Sequence, residues 1–364
     1  MFSFENIYKA YKLCRKNKSN SLNTIEFEIN LTNNLWQLCH ELREGRYQIG
    51  TSLCFLSHTP KLREIFAPSF RDRVVHHLLV SMLEEMYESK LIYDVYNNRK
   101  DKGTHRAVKR AKRFTLSHSY YLQLDIKGFF YHLNKDILYA ILYEDIKKYA
   151  TKYPYSDIAK YQNEILILSY QIIKHDPCQD YIFKGDQRAL EALPPHKSLF
   201  KIPSNRGLAI GNLTSQFFAN VYMNRFDHFI KRQLKVKYIR YVDDFVLFGQ
   251  DEDILLSYKK EIEDYLSRYL ALELREDSRL SKVSDGLDFL GYIIRPHYIL
   301  SRQRVVNAFK QKKAQFLEKN FSKSRYCSYE EALKFKSINA SFYGHLKHAN
   351  SHKLMQKYQI KEWL

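Results

Sequence analysis

Tyr241-Val242-Asp243-Asp244 sets two adjacent carboxylates between two short apolar runs, Tyr238-Ile239 before them and Phe245-Val246-Leu247-Phe248 after. The runs read as antiparallel strands and the Asp pair as the turn that joins them. Adjacent carboxylates on a tight hairpin suit magnesium, which demands hard oxygen ligands, and paired ions clamp the attacking and leaving oxygens of a phosphoryl transfer. An Asp-Asp pair is also an ordinary solvated turn, so the tetrapeptide alone is a weak signal. A second pattern strengthens it. Tyr121-Leu122-Gln123-Leu124-Asp125 alternates as a strand, with Leu122 and Leu124 on one face, and runs into a Lys127-Gly128 breaker. A strand ending in Asp125 and a separate hairpin tipped by Asp243 and Asp244 can bring three carboxylates together.

The rest of the chain must carry that site, and its composition fits a polyanion. Among 364 residues, 59 Lys and Arg face 40 Asp and Glu, a net charge of +19 that points to nucleic acid or an acidic membrane surface. The 29 Tyr and 23 Phe can serve stacking as well as packing. Hydrophobic content of 45% suffices for one large or two to three small domains. Cys14, Cys39, Cys54, Cys178 and Cys327 are odd in number and lack CxxC spacing, so reduced thiols in a cytoplasmic protein are expected. No secretory signal and no membrane span is expected.

Residues 1–45 read as helical, with Leu31, Leu35, Leu38 and Leu42 at three- and four-residue steps. Leu62 to Pro68 is strand-like, and a helix opens at Phe70. His76 and His77 have no partner at metal-ligand spacing and read as core or surface histidines. Phe218, Val221, Tyr222, Phe226, Phe229 and Ile230 form a helical core stripe after the Gly207–Gln216 loop. Residues 99–113 carry a single acid in a dense run of Lys and Arg: either a solvated helix face or a contact to phosphates.

In order and content, the three carboxylates resemble the palm of reverse transcriptases. The resemblance covers roughly residues 45–350. It implies an α+β fold, a right hand of fingers, palm and thumb with an antiparallel palm sheet. The expected divisions are an N-terminal helical extension at 1–45, fingers at 46–119, palm at 120–300 with an insertion at about 141–200 whose role is unassigned, and thumb at 301–364. It implies Asp125, Asp243 and Asp244 as catalytic residues, with the Ile126 carbonyl completing the shell of two Mg²⁺ ions. Phe130 falls where the family places an aromatic ring that excludes a ribose 2′-OH. Arg63 and Arg71 are the fingers candidates for the nucleotide, either of which could equally form a structural ion pair. Phe289, Leu290, Gly291 and Tyr292 resemble the primer grip. Arg99, Lys100, Lys102, Arg106, Lys109 and Arg110 are candidates for the nucleic-acid backbone. Where many polymerases place a Lys as general acid, this chain reads Arg275-Glu276-Asp277-Ser278-Arg279, which leaves Arg279 or Lys282 as substitutes. No Asp follows Asp288, so a ribonuclease H carboxylate cluster is not expected there.

Ile210-Gly211-Asn212-Leu213-Thr214-Ser215-Gln216 carries Gln216 where reverse transcriptases usually have Pro. This form resembles the enzymes of diversity-generating retroelements, which copy template adenines with low fidelity. Gln restores a backbone N–H and adds an amide that can meet a base or sugar, and Pro would be tolerated at a helix start. The implied partners are a template or non-coding RNA, primer and cDNA, dNTPs, and a small helical accessory protein or a second reverse transcriptase. Two other readings stay open: an antiphage defence enzyme with its own non-coding RNA, and a non-catalytic RNA-binding scaffold.

RNA affinity should fall linearly in log K against log salt. Neutralising each Lys or Arg of the 99–113 run that touches a phosphate should reduce the slope by roughly 0.7–0.9. An unchanged slope identifies a solvated face.

Overall fold

Apolar spacing at the start of the chain produces three helices, α1 (Phe4–Arg15), α2 (Leu22–Ile29) and α3 (Leu31–Arg43). Ser3 caps α1 by accepting the Asn6 N–H, and α3 buries Leu35, Leu38 and Leu42. The computed structural model describes residues 1–16, 21–58, 62–321 and 328–358, so Cys327 lies outside the described residues. After α3 come β1 (Ser52–Ser57), β2 (Arg63–Ala67), α4 (Phe70–Lys90), α5 (Thr104–Thr115) and β3 (Tyr120–Asp125). Next are α6 (Phe129–His132), α7 (Lys135–Lys152), α8 (Asp157–Lys160), α9 (Gln162–Lys174), β4 (Tyr181–Lys184), α10 (Gln187–Glu191) and α11 (Leu213–Arg232). Then follow β5 (Lys237–Tyr241), β6 (Asp244–Gly249), α12 (Glu252–Leu270) and β7 (Arg279–Lys282). The last elements are β8 (Leu287–Phe289), β9 (Tyr292–Ile294), β10 (Ile299–Ser301), α13 (Gln303–Phe321), α14 (Tyr329–Leu346) and α15 (His352–Lys357).

The elements form two units. The first comprises Met1–Tyr93, Asp125–Gln233 and Lys260–Glu276. Its sheet runs β2-β1-β4, with β1 antiparallel to β2 and parallel to β4. The segment 141–200 is largely helical, and it lends a strand to the β1–β2 hairpin. Buried Glu64 on β2 ties this segment down by accepting the Ser198 hydroxyl at 2.8 Å and the Leu199 N–H. Helix α11 is buried on nearly every side, including Phe217, Phe218, Val221, Tyr222, Phe226 and Ile230, which makes it a core helix and not a surface one. Asp72, fully buried near the start of α4, is satisfied by the Tyr47 and Ser69 hydroxyls, both at 2.7 Å, and by the Gly50 N–H at 3.1 Å.

The second unit comprises Asp94–Leu124, Leu234–Lys259 and Asp277–Leu364. Its four-stranded sheet has the order β5-β6-β3-β7, and the pairs β5–β6 and β3–β7 are antiparallel. Phe245 to Phe248 on β6 are buried without alternation, because both faces of the strand are covered. Ala107, Val108, Ala111 and Phe114 of α5 join Ile239, Val246, Phe289 and Tyr292 in one core. The antiparallel hairpins β8–β9 and β9–β10 follow, and α13 packs on α14 through Phe309 and Phe342, stacked at 4.0 Å. Cys14, Cys39, Cys54 and Cys178 carry no disulfide. Among the described residues no helix is long and apolar enough to cross a membrane.

His76 of α4 is buried, and desolvation lowers its pKa to about 4; Asp72 opposes this, while His77, His175 and Arg73 add to it. Its unfolded value is about 6.5. The neutral ring is therefore fully stabilising above pH 6.5, and that contribution, about 3 kcal/mol, is lost as pH falls from 6.5 through 4. His76→Gln should flatten the fall in Tm between pH 7 and pH 4.5. An unchanged pH profile in the variant would remove His76 from the acid response.

Candidate active site

Asp125 closes β3, and the chain beyond it is held by the segment before β7. The Arg275 N–H donates to the Asp125 carbonyl at 2.8 Å and the Lys127 N–H to the Glu273 carbonyl at 2.9 Å. Ile126 thus sits opposite Leu274 as a non-hydrogen-bonded antiparallel pair, which aims its own carbonyl away from that segment. The Asp125 carboxylate accepts the Arg275 guanidinium at 2.9 Å, with both side chains about one-third exposed. Arg275, in the stretch where a general acid was sought, is a counter-ion of Asp125. Arg279 and Lys282 lie on β7 as exposed side chains.

Gly128, at φ +52°, turns the chain into α6, where Phe129 is buried and Phe130 only half-buried, their rings 5.4 Å apart. Phe130 is thus the ring left over once Phe129 has filled the core position. Its carbonyl accepts the Leu208 N–H at 2.8 Å, and the Leu133 carbonyl accepts the Gly207 N–H at 2.9 Å, so the Gly207–Gln216 loop is laced to the Phe130 turn. Gly207 has φ +84°, a conformation that favours glycine, and a Cβ there would fall 2.5 Å from Leu199 Cδ2. Gln216 is the fourth residue of α11, and its N–H already donates to the Asn212 carbonyl at 3.3 Å. Pro at this position would therefore lose a helix bond, so it is not tolerated here as at a first helical position.

Arg63 is exposed on β2. Arg71 is drawn into structure: it pairs with Glu41, donates to the Gln48 carbonyl at 3.0 Å and lies over the Tyr47 ring at 4.8 Å. Two residues on, Arg73 borders a cavity of about 170 Å³ with Gly211 and Asn212, where the Asn212 Oδ1 is buried without a hydrogen-bond partner. The sequence signal for Arg73 was the same Phe70–Arg73 stretch, but the facing of its side chain depends on where α4 packs.

Asp243 and Asp244 follow from an uncommon turn. Tyr241 pairs with Asp244, leaving Val242 and Asp243 as a two-residue connection, and Val242 has φ +62°. A left-handed β-branched residue is strained, where hairpins ordinarily favour Gly. Two buried side chains hold it. Asn97 Oδ1 accepts the Val242 N–H at 3.0 Å, and the Arg240 guanidinium donates to the Val242 carbonyl at 2.9 Å. Both residues are buried, Arg240 completely. Sequence reasoning passed over both, although an Arg inside an apolar strand was a visible signal. Gln123 on β3 donates its amide to Asp244 Oδ1 and to the Asp288 carbonyl, each at 3.1 Å. Among the described residues no three His, Cys, Asp or Glu side chains stand together as a ready metal cluster.

Phe289-Leu290-Gly291-Tyr292 forms a tight hairpin with Leu290 at φ +51° and Gly291 at φ +88°. Phe289 and Tyr292 are core residues, and the Tyr292 hydroxyl donates to the His345 carbonyl at 2.9 Å, so only the Leu290-Gly291 tip is presented. In the basic run, Lys100, Arg106 and Lys109 are exposed. Arg110 pairs with buried Asp94 at 2.8 Å, Arg99 donates to the Val95 carbonyl at 3.1 Å, and Lys102 lies over the Tyr96 ring at 5.0 Å.

Asn97→Ala should strip the Val242 N–H of its partner, a penalty of about 1–3 kcal/mol. Relaxation of the turn should cut kcat for primer extension by at least about tenfold, with primer–template affinity little changed. Unaltered kcat would show that the turn keeps its shape without Asn97.

Residues 57–294, well over half of the chain, match the family described as reverse transcriptase (RNA-dependent DNA polymerase). Protein YkfC of Escherichia coli (strain K12) is 22% identical over 326 residues, covering 78% of this chain and 76% of that protein. A solved structure of apo telomerase from Candida tropicalis is similar over 70% of this chain, with a TM-score of 0.47 and 14% identity, and the chain spans 55% of the length of that protein. The family match takes in the Asp125 strand, the Gly207–Gln216 loop and the Asp243-Asp244 hairpin, and by it the chain belongs to the reverse transcriptases, RNA-directed DNA polymerases.

Proposed function

We propose that this enzyme makes cDNA from a dedicated RNA template by Mg²⁺-dependent nucleotidyl transfer, with low fidelity, as a reverse transcriptase of the diversity-generating retroelement type acting in the cytoplasm. In the reaction the primer 3′-oxygen bonds to the α-phosphorus of a deoxynucleotide, the bond to the bridging oxygen breaks, and pyrophosphate leaves. The donor set supports the metal reading: Asp125, Asp243, Asp244 and the Ile126 carbonyl are hard oxygens, Asp125 and Asp244 terminate strands that are neighbours in one sheet, and Asp125 already draws a cation in Arg275. Two Mg²⁺ ions held there would supply Lewis-acid and charge-neutralising chemistry. Phe130, half-buried beside a filled core position, is proposed to stack under the incoming sugar. Arg73 is proposed to join Arg63 in contacting the nucleotide or template, since Arg71 is engaged by Glu41.

The single observation that favours the retroelement type is Gln216, an amide at the start of α11 next to the Gly211 turn. Asp243→Asn should abolish primer extension while leaving Tm equal or higher, because removing one of two adjacent carboxylates relieves repulsion. Extension at the parental rate would remove Asp243 from the metal site. Sequencing the cDNA made by the parent and by Gln216→Ala, which keeps the helix N–H, tests the subtype. The variant should make fewer errors, chiefly opposite template adenine. Identical error spectra would detach Gln216 from fidelity and favour the defence reading.

A further inference from the structure

The segment 141–200 and the helix before it carry a surface that the polymerase chemistry does not use. Tyr139 and Tyr143 lie one turn apart on α7, and Tyr170 meets them from α9. Ring centroids are 6.3 Å apart for Tyr139–Tyr143 and 5.1 Å for Tyr139–Tyr170, the latter edge to face. The three line an open groove of about 610 Å³. Tyr139 is the packed member, whereas Tyr143 is 43% and Tyr170 51% exposed. Isolated surface tyrosines need no explanation. Two exposed rings gathered with a third in one groove are a different matter, because together they offer aromatic surface at one place.

The charges around the groove favour a polyanion. Lys147 Nζ stands 5.5 Å from the Tyr143 ring centroid and Lys174 Nζ 5.8 Å from that of Tyr170. Two carboxylates are present and both are compensated: Asp136 pairs with Lys174, and Glu144 pairs with Arg225 at 2.8 Å and Lys148 at 3.5 Å. Lys174 lines the groove with these two acids, and Lys147, Lys148 and Arg225 stand beside it through Tyr143 and Glu144. Aromatic rings flanked by lysines are the means by which proteins hold unpaired bases, the rings taking the base and the cations the phosphate.

We propose that the α7–α9 groove is a second RNA site, which takes unpaired bases of single-stranded RNA on Tyr143 and Tyr170, with Lys147, Lys148 and Lys174 toward the phosphates. The site requires only that the enzyme works on RNA, and it is independent of the retroelement reading. It would give the enzyme a hold on its template RNA separate from the hold on the primer–template duplex.

The test uses the full chain saturated with an unlabelled primer–template duplex, so that a labelled, unstructured 20-nucleotide RNA reports other sites. Tyr143→Ala/Tyr170→Ala should weaken binding of the labelled RNA roughly 5- to 150-fold for each base that stacks. Tyr143→Phe/Tyr170→Phe should keep most of it. Extension on the short duplex should be unchanged in both. In the parent enzyme, 4-thiouridine in the labelled RNA should cross-link to peptides of α7 and α9, a readout that needs no variant to fold. Cross-links confined to other segments, or equal affinity in the double alanine variant, would overturn the proposal and leave the groove to a protein partner.

Discussion

One strained residue governs the Asp243-Asp244 hairpin. Val242 in the left-handed region costs about 1–3 kcal/mol, and such strain persists only where surrounding structure over-determines it. Here Asn97 takes its N–H and Arg240 its carbonyl, from positions where neither side chain can swing into solvent. Burying a guanidinium is itself expensive, so Arg240 is tolerated only within a well-connected polar network. The result is a two-residue turn, Val242-Asp243, held by side chains from outside it.

Comparable restraint acts around Asp125. Backbone bonds on either side of Ile126 fix the direction of its carbonyl, and Arg275 meets Asp125 twice, its N–H at the main-chain carbonyl and its guanidinium at the carboxylate. Further on, Gly207 takes a left-handed conformation, and two backbone bonds lace its loop to the Phe130 turn. Phe129 and Phe130 show adjacent identical residues in different settings: one fills the core and the other is half-buried.

The segment 141–200 joins scaffold and recognition. Its β4 strand and the Glu64–Ser198 contact stabilise the β1–β2 hairpin, whereas its helices turn tyrosines and lysines outward.

By itself the sequence placed the local elements, and the reaction followed from their resemblance to the reverse transcriptase palm. Asp125 at the end of an alternating strand, Asp243-Asp244 between two apolar runs, Gly291 at a hairpin tip and the apolar stripe of α11 all rest on short-range rules of propensity and periodicity. Tertiary structure alone decided what each long or charged side chain is for. Arg71 and Arg73 stand two residues apart on one helix, yet one is bound by Glu41 and the other borders the Gly211 cavity. Arg110 belongs to Asp94, while Phe289 and Tyr292 are core. Asn97 lies 145 residues from Val242, and the strand in 181–184 pairs across the chain with residues 52–55. Such pairings join groups far apart in sequence, and no local pattern encodes which partner a flexible cation or amide will meet once the chain has packed.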